Sequence, residues 1–250
     1  MFDFTGKKVL VTGSSQGIGK ACALEFARHN AITFVHASVS MEKAQRVCDE
    51  IKAEVPYANV TPIVGDFLHD EHIEDTLYAQ TGDIDVLVQN VSIQYRVAWD
   101  EITGEQFDEQ MKVNLKSSLM LTQKYAPHMK EQHWGRIIYV GSIQEYQPHV
   151  MMAVYAASKE GQMSLVKNLG KQLAPFGITV NCMAPGTILT PRNEKVLAIP
   201  EYYDACIKGI PAARLGQPKD CAGATLLLAS EEGGFINGIE ILCDGGAHLL

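Results

Sequence analysis

No C-x-x-C pair occurs among the six cysteines, Cys22, Cys48, Cys182, Cys206, Cys221 and Cys243. Without that spacing neither a zinc ribbon nor a redox dithiol is indicated, and reduced buried thiols are the simpler reading. The histidines make no better case for a metal. His69 and His72 stand three apart but lack a third ligand, so no metal is expected. Positive charge is also short, with 21 Lys and Arg against 29 Asp and Glu and a formal charge of −8. The basic residues are scattered, which argues against nucleic acid as a partner. No apolar run is long enough to cross a bilayer, and none of signal-peptide length precedes the first core segment. A soluble, cytoplasmic protein with no membrane partner is the expectation.

Linkers, internal repeats and low-complexity stretches are missing as well. With 250 residues, 46% hydrophobic and 20% charged, the chain reads as one domain spanning 1–250. Short apolar runs rich in β-branched residues, at 8–12, 32–35, 60–64, 85–88, 136–140, 179–180 and 240–242, alternate with longer stretches of helical period. That alternation predicts an α/β fold with a parallel sheet covered by helices on both faces. Helices are predicted from near Lys20 and over 114–130 and 153–174. Pro175 and Gly177 stop the last of these, as residues just past a helix end do.

After the first run the chain reads Thr12-Gly13-Ser14-Ser15-Gln16-Gly17-Ile18-Gly19 and then turns helical. Glycines at such a turn let backbone approach a pyrophosphate, whose charge a helix N-terminus stabilises through its unpaired N–H groups. Where the second strand ends, an Asp or Glu would bind the ribose hydroxyls of NAD and repel a 2′-phosphate. Here stand Ala37 and Ser38, so NADP(H) is favoured over NAD(H). Asp66 ends the third run, where a carboxylate could accept from an adenine amino group, and a surface-turn Asp is the plainer alternative. Asn90 ends the fourth and could brace the loops around a cofactor.

Tyr155 and Lys159 lie four apart on an amphipathic helix and therefore share a face. An ammonium beside a phenol favours its ionised form, which suits the tyrosine to donate and accept protons. Ser142 follows the strand run 136–140, at the edge where ligands of parallel sheets bind, and could donate to a carbonyl oxygen as charge develops there. The Gly-x-Ser-x-Gly elbow of hydrolases is not met around it.

These motifs resemble the short, single-domain branch of the short-chain dehydrogenase/reductase family, from Gly6 to Gly246. The resemblance implies a Rossmann-type doubly wound, seven-stranded parallel sheet and an NAD(P)-dependent interconversion of a secondary alcohol and a ketone. It implies a catalytic set of Asn114, Ser142, Tyr155 and Lys159, with Tyr155 as general acid and base. Asn114 would interrupt its helix and hold a water relaying protons to Lys159. The run Asn181-x-x-Ala184-Pro185-Gly186 resembles the segment that embraces the nicotinamide. Cofactor contacts are thereby expected from Gly13, Ser15, Gln16, Gly17, Ile18, Gly19, Ser38, Asp66, Phe67, Asn90, Tyr155, Lys159, Pro185, Gly186, Ile188 and Thr190. A homotetramer is implied by the terminal segment 238–246. The chain departs from the family at Val91 and Ser92, where Ala and Gly are usual.

Gln94, Arg96, Gln144, Glu145 and His149 are expected to line the substrate side. Their polarity favours a small sugar-like or hydroxy-acid substrate. A 3-oxoacyl thioester reductase acting on an acyl carrier protein is the alternative, although no basic docking patch is evident. A cofactor-sensing regulator or scaffold is the non-enzymatic reading, and it leaves the four catalytic residue types without a purpose.

Overall fold

The computed structural model describes residues 2–249, so both end residues of the expected 1–250 domain lie outside the description. Among the described residues the strands are β1 (Lys8–Val11), β2 (Ile32–Ala37), β3 (Asn59–Val64), β4 (Val86–Gln89), β5 (Gly135–Val140), β6 (Ile178–Pro185) and β7 (Glu240–Cys243). They form one seven-stranded sheet in the order β3-β2-β1-β4-β5-β6-β7, every neighbouring pair parallel. The doubly wound architecture expected from the sequence is present.

The helices are α1 (Gly17–Arg28), α2 (Met41–Glu54), α3 (Ile73–Thr81), α4 (Gly104–Gln110), α5 (Ser117–Glu131), α6 (Ala153–Leu173), α7 (Glu194–Leu197), α8 (Pro200–Lys208) and α9 (Pro218–Ala229). Because strand side chains alternate between faces, β1 sends Val9 and Val11 to one side and Leu10 to the other. Val9 and Val11 join Cys22, Phe26, Val47, Ile51 and Leu226 from α1, α2 and α9. Leu10 joins Leu77, Leu121, Tyr125 and Val166 from α3, α5 and α6. Strands buried on both faces explain why the sequence shows continuous apolar runs rather than alternation.

Three boundaries differ from the sequence reading. α1 begins at Gly17, three residues before Lys20, because the glycine turn itself enters the helix. The predicted helix over 114–130 is α5 from Ser117 onward, and its first residues, 114–116, belong to a π-helical turn, Met111–Lys116. β6 extends eight residues rather than two. Its polar centre, Asn181, is fully buried but satisfied: Nδ2 donates to Ile236 O at 2.7 Å and Oδ1 accepts from Ile239 N–H at 3.2 Å. A polar residue with both ends paired costs a strand little, and periodicity does not show that.

Sheet order reverses between β1 and β4, so the loops after these strands diverge and leave a crevice at the C-terminal edge.

Candidate active site

The crevice has a volume of about 310 Å³ and takes its walls from the loops after β1, β4, β5 and β6. On one side the glycine turn bends through Gly13 (φ +65°) and Gly17 (φ +57°), both in the left-handed region. A Cβ on Gly19 would stand 2.5 Å from Gly13 O and 2.6 Å from Asn90 Nδ2, so only glycine lets α1 approach the turn this closely. Ser40 and Thr103 cap α2 and α4 through their side chains, whereas no side chain caps α1. Gly17 and Ile18 of its first turn line the crevice, where the unpaired N–H groups of a helix start serve as donors for an anion. The residues present therefore fit a dinucleotide pyrophosphate.

Two residues hold this turn from behind. Asn90 donates from Nδ2 to Thr12 O at 3.0 Å and Gly13 O at 3.1 Å, and its N–H donates to Thr12 Oγ1 at 2.9 Å. His36, on β2 and fully buried, accepts the Gly13 N–H at Nδ1 and pairs through Nε2 with Gly65 O. The histidine was not singled out by sequence. A titratable residue inside a strand that is otherwise apolar but for Thr33 was the available signal.

Ser15, Gln16, Ile18, Ser38, Pro185, Gly186, Ile188 and Thr190 all line the crevice. Asp66 and Phe67, expected at the adenine end, do not. Asp66 Oδ1 accepts from Leu68 N–H at 2.9 Å and Oδ2 pairs with His69 Nδ1 at 2.8 Å. Partial burial raises its pKa, but the bonds from His69 and the turn outweigh that and hold the carboxyl below its ordinary value. Phe67 is buried edge-on to the His36 ring, with centroids 5.4 Å apart.

On the opposite wall, Ser142 follows β5, and Tyr155 and Lys159 occupy the first two turns of α6. All three line the crevice. Tyr155 is 6% exposed and Lys159 1%, with Lys159 Nζ 5.7 Å from the centre of the Tyr155 ring. Among the described residues none hydrogen-bonds the Tyr155 hydroxyl, which leaves it available to a substrate. Lys159 is held by Val140 O at 2.7 Å and Gln162 Oε1 at 3.0 Å. Asn114 sits behind this group, in the π turn. Its side chain is fixed to the β4–α4 loop, with Oδ1 accepting from Ile93 N–H and Nδ2 donating to Ile93 O, both at 2.9 Å. A π turn takes carbonyls off the regular helical ladder, which is the helix interruption that the resemblance implied.

Glu145 differs from its expected place. It turns beneath Ser142, accepting the Ser142 N–H at Oε1 (2.9 Å), and its carboxyl lies with Cys182 and Glu240. Burial first, and then the charge of Glu240, push it up to about 8. It is a half-buried acid bracing the end of β5 rather than a crevice wall. His149 also stands back from the crevice. It accepts from Arg96 Nη2 at 2.9 Å, and partial burial together with Arg96 lowers its pKa.

Gln94, Arg96 and Gln144 do line the crevice, joined by Arg192 and by Tyr202 of α8. Arg96 Nη1 donates to Tyr202 Oη at 3.3 Å. Arg192 donates to Ser92 Oγ at 2.9 Å and Ser92 O at 2.5 Å. The serine that replaces the usual glycine thus anchors an arginine on the facing loop. The other four arginines, Arg28, Arg46, Arg136 and Arg214, each pair with a carboxylate. Among the described residues Arg96 and Arg192 do not.

Comparison with known proteins places this geometry. A family model described as short chain dehydrogenase matches residues 7–199. L-rhamnose-1-dehydrogenase of Scheffersomyces stipitis is 35% identical over 247 residues, covering 96% of this chain and 95% of the relative. A 3-oxoacyl (acyl-carrier-protein) reductase of Thermotoga maritima is 35% identical over 245 residues, covering 96% and 97%. Among solved structures, a gluconate 5-dehydrogenase from Burkholderia cenocepacia, in complex with NADP and tartrate, superposes with a TM-score of 0.91. It is 31% identical and covers 100% of this chain and 98% of its own.

Proposed function

The chain belongs to the short-chain dehydrogenase family, and from that premise we propose that it interconverts a sugar-derived hydroxy acid and the corresponding keto acid with NADP(H). It is an NAD(P)-dependent oxidoreductase of secondary alcohols and ketones. The observation that carries the assignment of roles is that Ser142, Tyr155 and Lys159 line the same crevice as the glycine turn.

The chain's own groups divide the work. Ser142 Oγ donates to the substrate carbonyl oxygen, where a fixed donor in a dry site is worth about 10²–10³ in rate. The Tyr155 hydroxyl gives its proton to the same oxygen, and the ammonium of Lys159 stabilises the phenolate that remains. Oxidation runs these transfers in reverse. Bound in the crevice, the nicotinamide supplies or accepts the hydride at the carbinol carbon.

Support for the substrate class comes from Arg96 and Arg192, two guanidinium groups at the crevice without carboxylate partners. Carboxylates are recognised most strongly by such charge-assisted hydrogen bonds. Support for NADP(H) comes from Ser38 at the end of β2, where no carboxylate opposes a 2′-phosphate. Self-association into a tetramer is favoured by a groove between the π turn and α6, walled by Met111, Leu115, Leu119 and Leu165, and by the unpaired outer edge of β7. Relatives that reduce acyl-carrier-protein thioesters make that the second reading.

A screen at the nicotinamide absorbance band decides between them. Sugar acids, neutral sugars, polyols and acyl thioesters are each offered with both dinucleotides. Turnover is expected with sugar acids and NADP(H), and a higher kcat/KM for thioesters would overturn the substrate assignment. Tyr155→Phe is expected to lower kcat by at least about 10²-fold while leaving dinucleotide binding within a factor of two. Retained turnover would reject the role given to Tyr155.

A further inference from the structure

Lys159 is among the largest fully buried side chains of the protein, and a buried ammonium must be hydrogen-bonded to remain charged. Two of its three N–H bonds go inward, to Val140 O and to Oε1 of Gln162. Gln162 is itself 0% exposed. It stands three residues after Lys159 on α6 and so shares its face. The other end of its amide, Nε2, donates to the backbone carbonyl of Asn114 at 2.6 Å and to Ser118 Oγ at 2.9 Å. Rotating the amide by half a turn would set its NH₂ against the ammonium and its oxygen against the Asn114 carbonyl, so the surroundings dictate its orientation.

The Asn114 carbonyl has a second donor, Ser118 Oγ at 2.8 Å. A carbonyl oxygen offers two lone pairs, and both are taken by side chains of this chain. The carbonyl and the amide that ties it to the ammonium are therefore both held by side chains of this chain. A fixed amide thus reaches from the π turn to the ammonium.

We propose that Gln162 is a positioning residue of the reaction centre: its amide ties Lys159 to the Asn114 carbonyl and aims the third N–H of the ammonium at the crevice. The titratable groups around Lys159 are Tyr155 on its own helix, Glu145 after β5 and Cys182 on β6. None of them is hydrogen-bonded to the ammonium, which leaves Gln162 as the side chain that fixes its direction. The inference rests on the oxidoreductase reading of the site.

The test compares Gln162→Leu and Gln162→Glu with the wild type, using the best substrate from the screen. Leucine fills a similar volume and removes both bonds. Its kcat is expected to fall about 10–100-fold, with KM and the dinucleotide Kd, read by nicotinamide fluorescence, within about threefold. Glutamate keeps an acceptor for Lys159 but offers no donor to Asn114, and it is expected to move the pH limb of kcat as well as its height. A folded Gln162→Leu enzyme with kcat within threefold and unchanged pH limbs would overturn the proposal. Should leucine prevent folding, a Gln162→Glu profile that coincides with the wild type overturns it equally. Tyr155→Phe separates the two levels: if it abolishes turnover while both Gln162 variants behave as wild type, only the role of Gln162 fails. If Tyr155→Phe leaves turnover intact, the reading of the whole site fails.

Discussion

The backbone N–H of Gly13 donates to Nδ1 of His36 at 2.9 Å. Since Nε2 meets a carbonyl, Gly65 O, that nitrogen must carry the proton, and the ring is neutral with Nδ1 as acceptor. Burial lowers its pKa to about 4, against opposing contributions from the Gly65 bond and the Asp66 charge. The glycine turn that faces a pyrophosphate is thus held from below by one uncharged imidazole.

His36→Phe leaves the Gly13 N–H buried without a partner, at a cost of about 1–3 kcal/mol. The expected result is a dinucleotide Kd raised about tenfold or more, with kcat at saturating cofactor little changed. The sign with pH follows from the lowered value. Below the ordinary histidine range the unfolded chain takes up a proton that the folded chain refuses, so stability falls as pH drops from about 6.5 through about 4. Thermal melting across that interval should be flatter for His36→Phe than for the wild type. Parallel curves would dismiss the imidazole as the cause.

Glu145 works in the opposite direction. Its carboxyl is raised to about 8, so between the ordinary carboxylate range and about pH 8 the unfolded chain has released a proton that the folded chain retains. Stability contributed by the protonated form is complete at low pH and is lost as pH rises. Each pH unit over which the two states differ by one proton is worth about 1.4 kcal/mol. Glu145→Gln keeps an acceptor for the Ser142 N–H and cannot ionise. The variant is expected to melt higher than the wild type near pH 8 and to converge with it near pH 5. Equal melting temperatures at both would reject the assignment.

Cofactor preference is tested at the end of β2. Ser38→Asp places a carboxylate where a 2′-phosphate would lie. kcat/KM for NADPH should drop more than tenfold while that for NADH holds or rises. An unchanged ratio would mean that Ser38 does not read the ribose.

Arg96→Met and Arg192→Met separate anion recognition from chemistry. Hydrogen bonds to charged groups contribute about 1.5–3 kcal/mol, so KM for a sugar acid is expected to rise about 10–100-fold in each. Neutral polyols and dinucleotide binding should be little affected. An equal loss for acids and neutral substrates would rule out a carboxylate contact.

Much of this was legible before any fold was known. The glycine turn, Ser142, and the Tyr155–Lys159 pair are local patterns whose spacing has one strong structural meaning each, and the strand runs announced a sheet buried on both faces. Glu145 and His149 were misplaced because polarity near a crevice does not reveal which way a side chain turns. Glu145 points inward because Ser142 offers an N–H there and Gly141 has no Cβ, which would stand 2.6 Å from the Glu145 Oε1. Gln162 did carry a signal, as a polar residue one helical turn beyond Lys159, but its partner Asn114 lies 48 positions away.

What the sequence determined alone was the chemistry along single elements: a turn only glycine can make, a helix face shared by a phenol and an amine, and short strand runs dominated by apolar residues. These follow from backbone sterics and periodicity, which act over a few residues. Tertiary structure decided which distant groups meet: His36 hydrogen-bonds Gly13, Gln162 the Asn114 carbonyl and Arg192 Ser92, while Glu145 comes to lie beside Glu240. The reason is that a buried polar atom must find a partner wherever packing supplies one, and packing unites residues that the linear order keeps apart.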